Sequence, residues 1–488
     1  MARYSYDRLT ALDNSFLLLE KPNAYMHVGA TQVFKTGPLR TEGGGVDAAR
    51  IRKLVSALLH RIPRYRQKLA WIPFESHPVW VDDENFNLDF HLRHTALPRP
   101  GTEEQLKRLS ARVMQQHLDR TRPLWEMWIV EGLEDDRFAI ISKTHHCMID
   151  GISGVDIMRV LMSPEADDQL LPEEPSWVPR PAPSAFELLR HELVRRAWLP
   201  FEILRGAVSL VRAAEDVRFD LMTRLRAVSE ALGGSLRLPS ETPLNREIGP
   251  HRRVDWLTLE LGELKQMRKA LGGSLNDLVL TVVTGAVRSF FRGRHVNPDR
   301  LDFRVMAPVS VRSDDERGAL GNRVSAWIVP LPIDEPDPRE QLARIVEKTT
   351  KLKVSNSAVG AEVLTQAAEY TPSTLLALGA RNIARLLPFN LVVTNVPGPQ
   401  APMYMLGAEM TEVYPHVPLT DRLGLGIALM SYNGKLCWGF SGDYDLVPDL
   451  REFVGAIESS FRALQQIARA RPVALGANGH DTAEARPA

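Results

Sequence analysis

The chain has 488 residues, more than one ordinary hydrophobic core accommodates, so two or three domains are expected. Its 60 basic and 60 acidic residues cancel, and 44% hydrophobic residues read as a soluble globular composition with no footprint for nucleic acid. Two cysteines, Cys147 and Cys437, argue against a disulfide framework or a cysteine zinc site and suit a reducing cytoplasm.

In chain order, Met1 to Asp7 lacks the apolar core of a secretory signal. Residues 46–61 put Ile51, Leu54, Val55, Leu58 and Leu59 on one helical face, and 103–118 reads as another helix. Residues 125–131 and 137–144 read as strands joined by the polar turn Leu133-Glu134-Asp135-Asp136. Pro172, Pro175, Pro179, Pro181 and Pro183 then favour extended backbone. Residues 184–232 follow as helix, broken near Pro200, with Arg190, Arg195, Arg196, Arg205 and Arg212 beside Leu189, Leu193, Val194 and Trp198. Two readings stand: helices bridging the domains, or an interfacial membrane helix whose basic face Glu187, Glu192 and Glu202 dilute.

A second α/β pattern spans 252–469, with strands at 256–261, 302–311, 324–332, 390–395 and 435–441 and helices at 277–292 and 450–468. The longest uncharged run, between Arg385 and Glu409, is broken by Pro388, Pro397, Pro399 and Pro402, which excludes a regular spanning helix there. The organisation expected is a first domain over 1–171, a proline-rich and helical linker over 172–240, a second domain over 241–471 and a disordered tail over 472–488.

The chemistry concentrates in His145-His146-Cys147-Met148-Ile149-Asp150-Gly151. At this composition a chance HHxxxDG would arise in about one chain in a thousand of this length. Histidine is the side chain whose ordinary pKa lies closest to neutrality, so the segment supplies a base. If the strand continued through residue 146, alternation would place His146 with Phe138, Ile140, Ser142 and Thr144, and His145 on the opposite face. Asp150 could then reach back to orient a ring, and Gly151 would leave room for a ligand. The adjacent histidines and Asp150 converge poorly as zinc ligands, so no metal is expected.

No nucleophile accompanies the base. Gly151-Ile152-Ser153-Gly154 and Gly439-Phe440-Ser441-Gly442 each fall short of a G-x-S-x-G elbow, and no phosphate-binding loop or complete dinucleotide fingerprint is present. The economical chemistry is direct attack by a bound hydroxyl on an activated acyl group.

His146-Cys147-Met148-Ile149-Asp150-Gly151 resembles the HxxxDG motif of CoA-dependent acyltransferases of the chloramphenicol acetyltransferase and condensation-domain superfamily. Further segments narrow the resemblance to bacterial wax ester synthase/diacylglycerol acyltransferases: Leu12-Asp13 through Glu20, Met26-His27-Val28-Gly29, Pro123-Leu124-Trp125-Glu126, Thr242-Pro243-Leu244-Asn245, Asn276-Asp277, Pro308 through Arg312 with Gly321-Asn322, and Asn395-Val396-Pro397-Gly398-Pro399. The resemblance implies two similar α/β domains, each a mixed sheet flanked by helices, with a tunnel between them. It makes His146 the general base, with His145 and Asp150 in support, and no covalent acyl-enzyme. It implies acyl-CoA as a substrate rather than a cofactor, with a fatty alcohol or diacylglycerol as acceptor. It also implies a cytoplasmic protein lying peripherally on the inner membrane face or on lipid droplets, with a homodimer left open. The rival readings are a related acyltransferase acting on a polyketide or sugar hydroxyl, and an inactive lipid-coating homologue.

Some positions carry two readings. Ser274-x-x-Asp277 fits a helix capping box, while Asn276 is either structural or an oxyanion donor. Glu20 is either a solvated charge or a substrate-site residue. Trp125 reads as a core anchor in the Pro123-Leu124-Trp125 segment, and Asn395 as a turn former.

Overall fold

The computed structural model describes residues 6–75, 77–148, 158, 160–166, 171, 173–195, 197–198, 238–310, 324–354 and 387–470. Asp150, Gly151, Gly321-Asn322, most of the predicted 184–232 helical stretch and the 472–488 tail lie outside them.

The first half supplies strands β1 (Asp7–Arg8), β2 (His27–Lys35), β3 (Gln67–Trp71), β4 (Pro78–Asp82), β5 (Leu92–Ala96), β6 (Trp125–Leu133) and β7 (Arg137–His145). The second supplies β8 (Arg252–Glu260), β9 (Phe303–Ser310), β10 (Val324–Leu331), β11 (Leu391–Pro397), β12 (Tyr404–Met405), β13 (Ala408–His416), β14 (Leu425–Tyr432) and β15 (Lys435–Asp443). Helices α1 (Ala11–Leu19), α2 (Ala48–Leu58), α3 (Leu88–His91) and α4 (Glu103–Met114) belong to the first half; α5 (Leu261–Leu271), α6 (Leu275–Gly293), α7 (Pro338–Val354) and α8 (Leu450–Ala470) belong to the second.

Two six-stranded mixed sheets result, ordered β12-β13-β2-β7-β6-β5 and β10-β9-β11-β14-β15-β8, beside a small sheet β1-β4-β3. This is the α/β architecture of paired mixed sheets flanked by helices that the sequence leads one to expect. Sheet membership, however, does not follow the division near residue 240. β13 leaves the second half and pairs antiparallel with β2, with His416 opposite Gly29 and Tyr414 opposite Thr31.

That crossing ties the halves together. Tyr414 stacks on Trp256 of β8 with ring centres 4.7 Å apart, and Lys107 of α4 bridges to Asp255 at 2.6 Å. A shared core joins Val33, Val130 and Ile141 of the first sheet to Val254, Trp256 and Cys437 of the second. Gly439 is required where β15 meets β13, because a Cβ there would stand 1.8 Å from the Pro415 carbonyl oxygen.

Local signals explain the elements that place the site. β7 buries both faces: Phe138 and Ile140 enter the core under α2, and Ala139 and Ile141 enter the shared core. α4 opens on a reciprocal capping box between Thr102 and Gln105. α5 ends at Gly272 with φ of 85°, the left-handed region that glycine tolerates, and α6 opens on the Ser274–Asp277 capping box.

Candidate active site

β7 stops at His145, and His146–Met148 form a single 3-10 turn. The expectation of a strand running through residue 146 is therefore corrected: the turn, rather than strand alternation, separates the two imidazoles. Two neighbouring segments hold this end of the strand. The His145 amide donates to the Leu124 carbonyl at 2.9 Å, and the His146 amide donates to the Met26 carbonyl at 2.8 Å. Pro123, Leu124 and Trp125 are buried, and the Trp125 indole donates to the Tyr65 carbonyl at 2.9 Å while stacking on His91. The Pro123-Leu124-Trp125 segment thus provides the backbone partner that anchors the histidine pair.

His145 is buried and faces inward. Its Nδ1 accepts the Cys147 amide at 3.2 Å and lies 3.0 Å from the Cys147 thiol. An accepting Nδ1 puts the proton of the neutral ring on Nε2. That nitrogen faces Glu20 Oε2 at 3.5 Å, and His27 Nε2 faces Glu20 Oε1 at 3.6 Å. Both contacts are longer than a hydrogen bond, and neither nitrogen has a hydrogen-bond partner among the described residues. Arg120 donates to Glu20 Oε2 and, at 3.3 Å, to the Leu17 carbonyl near the end of α1.

The electrostatics follow from this packing. Burial alone would raise the Glu20 carboxyl, but His145 and Arg120 overcome it and hold the pKa down at about 2. Burial, helped by the buried Lys143 ammonium, drops His27 to about 3. Glu20 is therefore ionised and His27 neutral at physiological pH.

His146 points elsewhere. Its ring is half-buried and stacks on Phe16 of α1, with centres 3.8 Å apart and planes 18° from parallel. Burial pushes its pKa down to about 4, so the ring is neutral near pH 7, the protonation state a general base requires. Cys147 beside it is fully buried, and burial pushes its thiol well above the ordinary value, which removes it as a thiolate nucleophile. Among the described residues the arrangement sets a neutral imidazole beside a thiol that cannot serve as nucleophile.

The remaining described candidates, Asn276, Asp277 and Asn395, make no hydrogen bond to the histidine pair. Asp277 is buried; it accepts the Ser274 amide and hydroxyl, each at 2.7 Å, and the Thr349 hydroxyl at 2.8 Å, which accounts for it structurally. Asn276 is half-buried in the first turn of α6, with no side-chain hydrogen bond to the histidine cluster among the described residues. Asn395 is not in a turn: β11 continues to Pro397, and Asn395 pairs in parallel register with Leu429. The proline that suggested a loop ends the ladder instead of preceding it. Among the described residues no group of three or more His, Cys, Asp or Glu side chains is placed to hold a metal ion.

Sequence reasoning missed Phe16, His27 and Arg120 as neighbours of the pair. His27 belongs to a segment that carries the family resemblance, but its position opposite His145 comes from the β2–β7 register.

Comparison with known proteins decides the family. The wax ester synthase/diacylglycerol acyltransferase catalytic domain matches residues 9–279, and the C-terminal domain of the same family matches residues 320–465. The chain belongs to the wax ester synthase/diacylglycerol acyltransferase family. Among its relatives, tgs1 of Mycobacterium tuberculosis, named a probable diacylglycerol O-acyltransferase, is 30% identical over 96% of this chain and 97% of its own. The protein named probable diacylglycerol O-acyltransferase tgs2, also of Mycobacterium tuberculosis, is 31% identical over 94% of this chain and 99% of its own. The solved wax ester synthase/diacylglycerol acyltransferase from Marinobacter aquaeolei VT8 superposes with a TM-score of 0.67 at 25% identity, covering 95% of this chain and all of that one. The starter condensation domain of rhizomide synthetase shares the fold, with a TM-score of 0.56 at 13% identity. As a member of this family, the chain is an O-acyltransferase.

Proposed function

We propose that this enzyme transfers a fatty acyl group from acyl-CoA to the hydroxyl of a fatty alcohol or of diacylglycerol, with His146 as general base. The observation that carries the reading is the neutral, half-buried His146 imidazole at the end of β7, in a member of this family, beside a thiol that cannot serve as nucleophile. His146 takes the acceptor's proton as its oxygen attacks the thioester carbonyl. The tetrahedral intermediate collapses by breaking the C–S bond, and the imidazolium returns its proton to the departing CoA sulfur. No acyl-enzyme forms. Asn276 supplies an amide donor to the oxyanion, and Asp150 and Gly151 of the same motif assist His146 in supporting roles.

The test follows CoA release from palmitoyl-CoA with hexadecanol or a diacylglycerol as acceptor. Release with either acceptor is expected, and His146→Ala should lower kcat by about 10³-fold. No release with either acceptor would overturn the substrate assignment, and a His146→Ala enzyme of near-normal kcat would overturn the base.

The reading includes work at a lipid surface. Among the described residues no single helix is long and apolar enough to cross a membrane; the bent pair α5 and α6 passes by length and composition, but α6 is core, with Leu278, Leu280, Val283 and Phe291 fully buried. The helix at 185–195 supports interfacial contact. Leu188 and Glu192 face inward, where Glu192 pairs with Arg8 and Leu188 packs on Ile72, Val79 and Val81. Phe186 and Leu193 face outward, 74% and 60% exposed. Exposed apolar side chains beside an exposed arginine, here Arg190 between Phe186 and Leu193, are the pattern of a surface that meets anionic lipid. Flotation with anionic liposomes should carry the protein upward, and Phe186→Ser combined with Leu193→Ser should reduce the floating fraction; unchanged flotation of that variant would remove this helix from the contact.

A further inference from the structure

The proposed mechanism uses one imidazole, yet two more and a carboxylate are buried behind it. Keeping a carboxylate out of water is costly unless it is paired, and here the pairing is specific. Glu20 ends α1 as its C-cap residue, and Arg120 clamps it there by bonding both the carboxylate and the Leu17 carbonyl of the same helix. Three residues of one short helix and its cap thereby meet the site: Phe16 against the His146 ring, Leu17 through Arg120, and Glu20 against the His145 ring.

The hydrogen-bond pattern gives this arrangement a direction. The Cys147 amide lies in the turn that carries His146, and it is bonded to His145 Nδ1. That bond exists only while Nδ1 is unprotonated. A neutral imidazole has one proton, so Nδ1 stays free only if Nε2 holds it, and the ionised Glu20 carboxylate is the group that Nε2 faces. Losing the carboxylate would let the proton move to Nδ1, where it would confront the Cys147 amide proton and push the turn out of place.

We propose that Glu20, held by Arg120, is a positioning residue for His146: it sets the tautomer of His145, and His145 in turn fixes the Cys147 amide and so the aim of the base. Glu20 touches neither substrate nor reacting atoms in this role, and it acts only through His145. The inference rests on the His146 reading and deepens it.

A double-mutant cycle separates this role from simple stabilisation. Glu20→Ala should lower kcat by about 30-fold, within the range for groups that orient a functional histidine, with the KM for acyl-CoA nearly unchanged. Glu20→Gln should recover most of that loss, because its amide oxygen can face Nε2 as an acceptor in place of the carboxylate. In His145→Asn the Asn Oδ1 can accept the Cys147 amide without any tautomer to set, so adding Glu20→Ala to that background should cost less than about 3-fold more. Nitrogen-15 NMR of labelled histidines should find the Nε2–H form of His145 in the native enzyme and in Glu20→Gln, and a mixture in Glu20→Ala. If Glu20→Ala does not fold, Arg120→Ala, which trims a side chain 39% exposed, runs the same cycle with a smaller loss.

Losses that add fully across the cycle, or a Glu20→Gln enzyme as impaired as Glu20→Ala with a raised KM, would overturn the proposal in favour of fold support or substrate contact. If His146→Ala abolishes turnover while the cycle is additive, only this inference fails. If His146→Ala stays active, the underlying reading fails first.

Discussion

The two six-stranded sheets have similar frames and bury different things. The second packs Val305, Leu391, Val393, Leu425, Ile427, Leu429, Trp438 and Phe440 into an apolar core under α5, α6 and α8. The first places Lys143, His145, His27 and Glu126 in its interior, with the Lys143 ammonium donating to the Val113 and Gln116 carbonyls at 3.0 Å each and lying 3.3 Å from Glu126. Burying charged groups is a weak source of stability compared with apolar packing, and clusters of buried titratable groups are where functional sites concentrate. The second sheet buries the ion pair of Arg252 and Asp443, whereas the first gathers histidines, a lysine and a carboxylate at the end that holds His146, the base in the proposed mechanism.

The sharpest way to break that comparison is to remove one group from each sheet. His146→Ala should cost about 10³-fold in kcat with little change in unfolding free energy. Leu429→Ala should do the reverse, costing about 2–5 kcal/mol of stability while the folded fraction keeps its kcat. Chemical denaturation and CoA release measured on the same samples check both; an inactive but stable Leu429→Ala enzyme would assign chemistry to the second sheet.

Acid should also distinguish the sheets. Burial lowers His27 to about 3 and His77, His146 and His416 to about 4, and it lowers His91 as well. Each of these residues lies in or against the first or the small sheet. A histidine whose folded pKa lies below its unfolded value of about 6.5 takes up its proton preferentially in the unfolded chain. The stability it contributes is complete above pH 6.5 and is lost as pH falls towards 4, or towards 3 for His27. Glu20 acts in the same direction, over about pH 4.5 to 2. By pH 4.5 the buried set should have cost several kcal/mol. Amide hydrogen exchange at pH 7 and 5 should show first-sheet protection falling before that of β14 and β15; simultaneous loss would mean that the shared core couples the halves too tightly to open separately.

The legible and illegible parts of the sequence divide along a physical line. Local signals are written in neighbouring residues, so the α4 and α6 helices, the β6–β7 hairpin and the Ser274–Asp277 cap could be read directly. The pairing of β13 with β2 joins residues nearly 400 apart and leaves no local trace beyond alternation, so the second half was expected to keep its strands to itself. The histidine pair was visible as a pair. Its tie to Glu20, which the sequence offered as a solvated charge or a substrate-site residue, and to Arg120 was not, because those two are separated by 100 residues and meet only when α1 docks on the end of β7. Asn395 was misread because the proline two residues on is a turn signal in most contexts, whereas here it occupies the last rung of a parallel ladder.

Asn276 and Asp277 offer the finest division of the molecule, since two adjacent residues of α6 should fail in different ways. Asp277→Ala removes the acceptor for the Ser274 amide and hydroxyl and for the Thr349 hydroxyl, so it loosens the start of α6 and its tie to α7. A loss of about 1–3 kcal/mol is expected, with kcat of the folded enzyme largely intact. Asn276→Ala removes no hydrogen bond to a described residue and should shift stability by less than about 0.5 kcal/mol. If its amide meets the oxyanion, kcat should fall by about 10- to 100-fold with KM unchanged, because that contact is made only as negative charge develops. An Asn276→Ala enzyme with native kcat would confine the chemistry to the first sheet and leave the second as scaffold. A selective fall in kcat would mean that the apolar half contributes one polar group to the reaction, from the half-buried first turn of a helix whose remaining length is committed to the core.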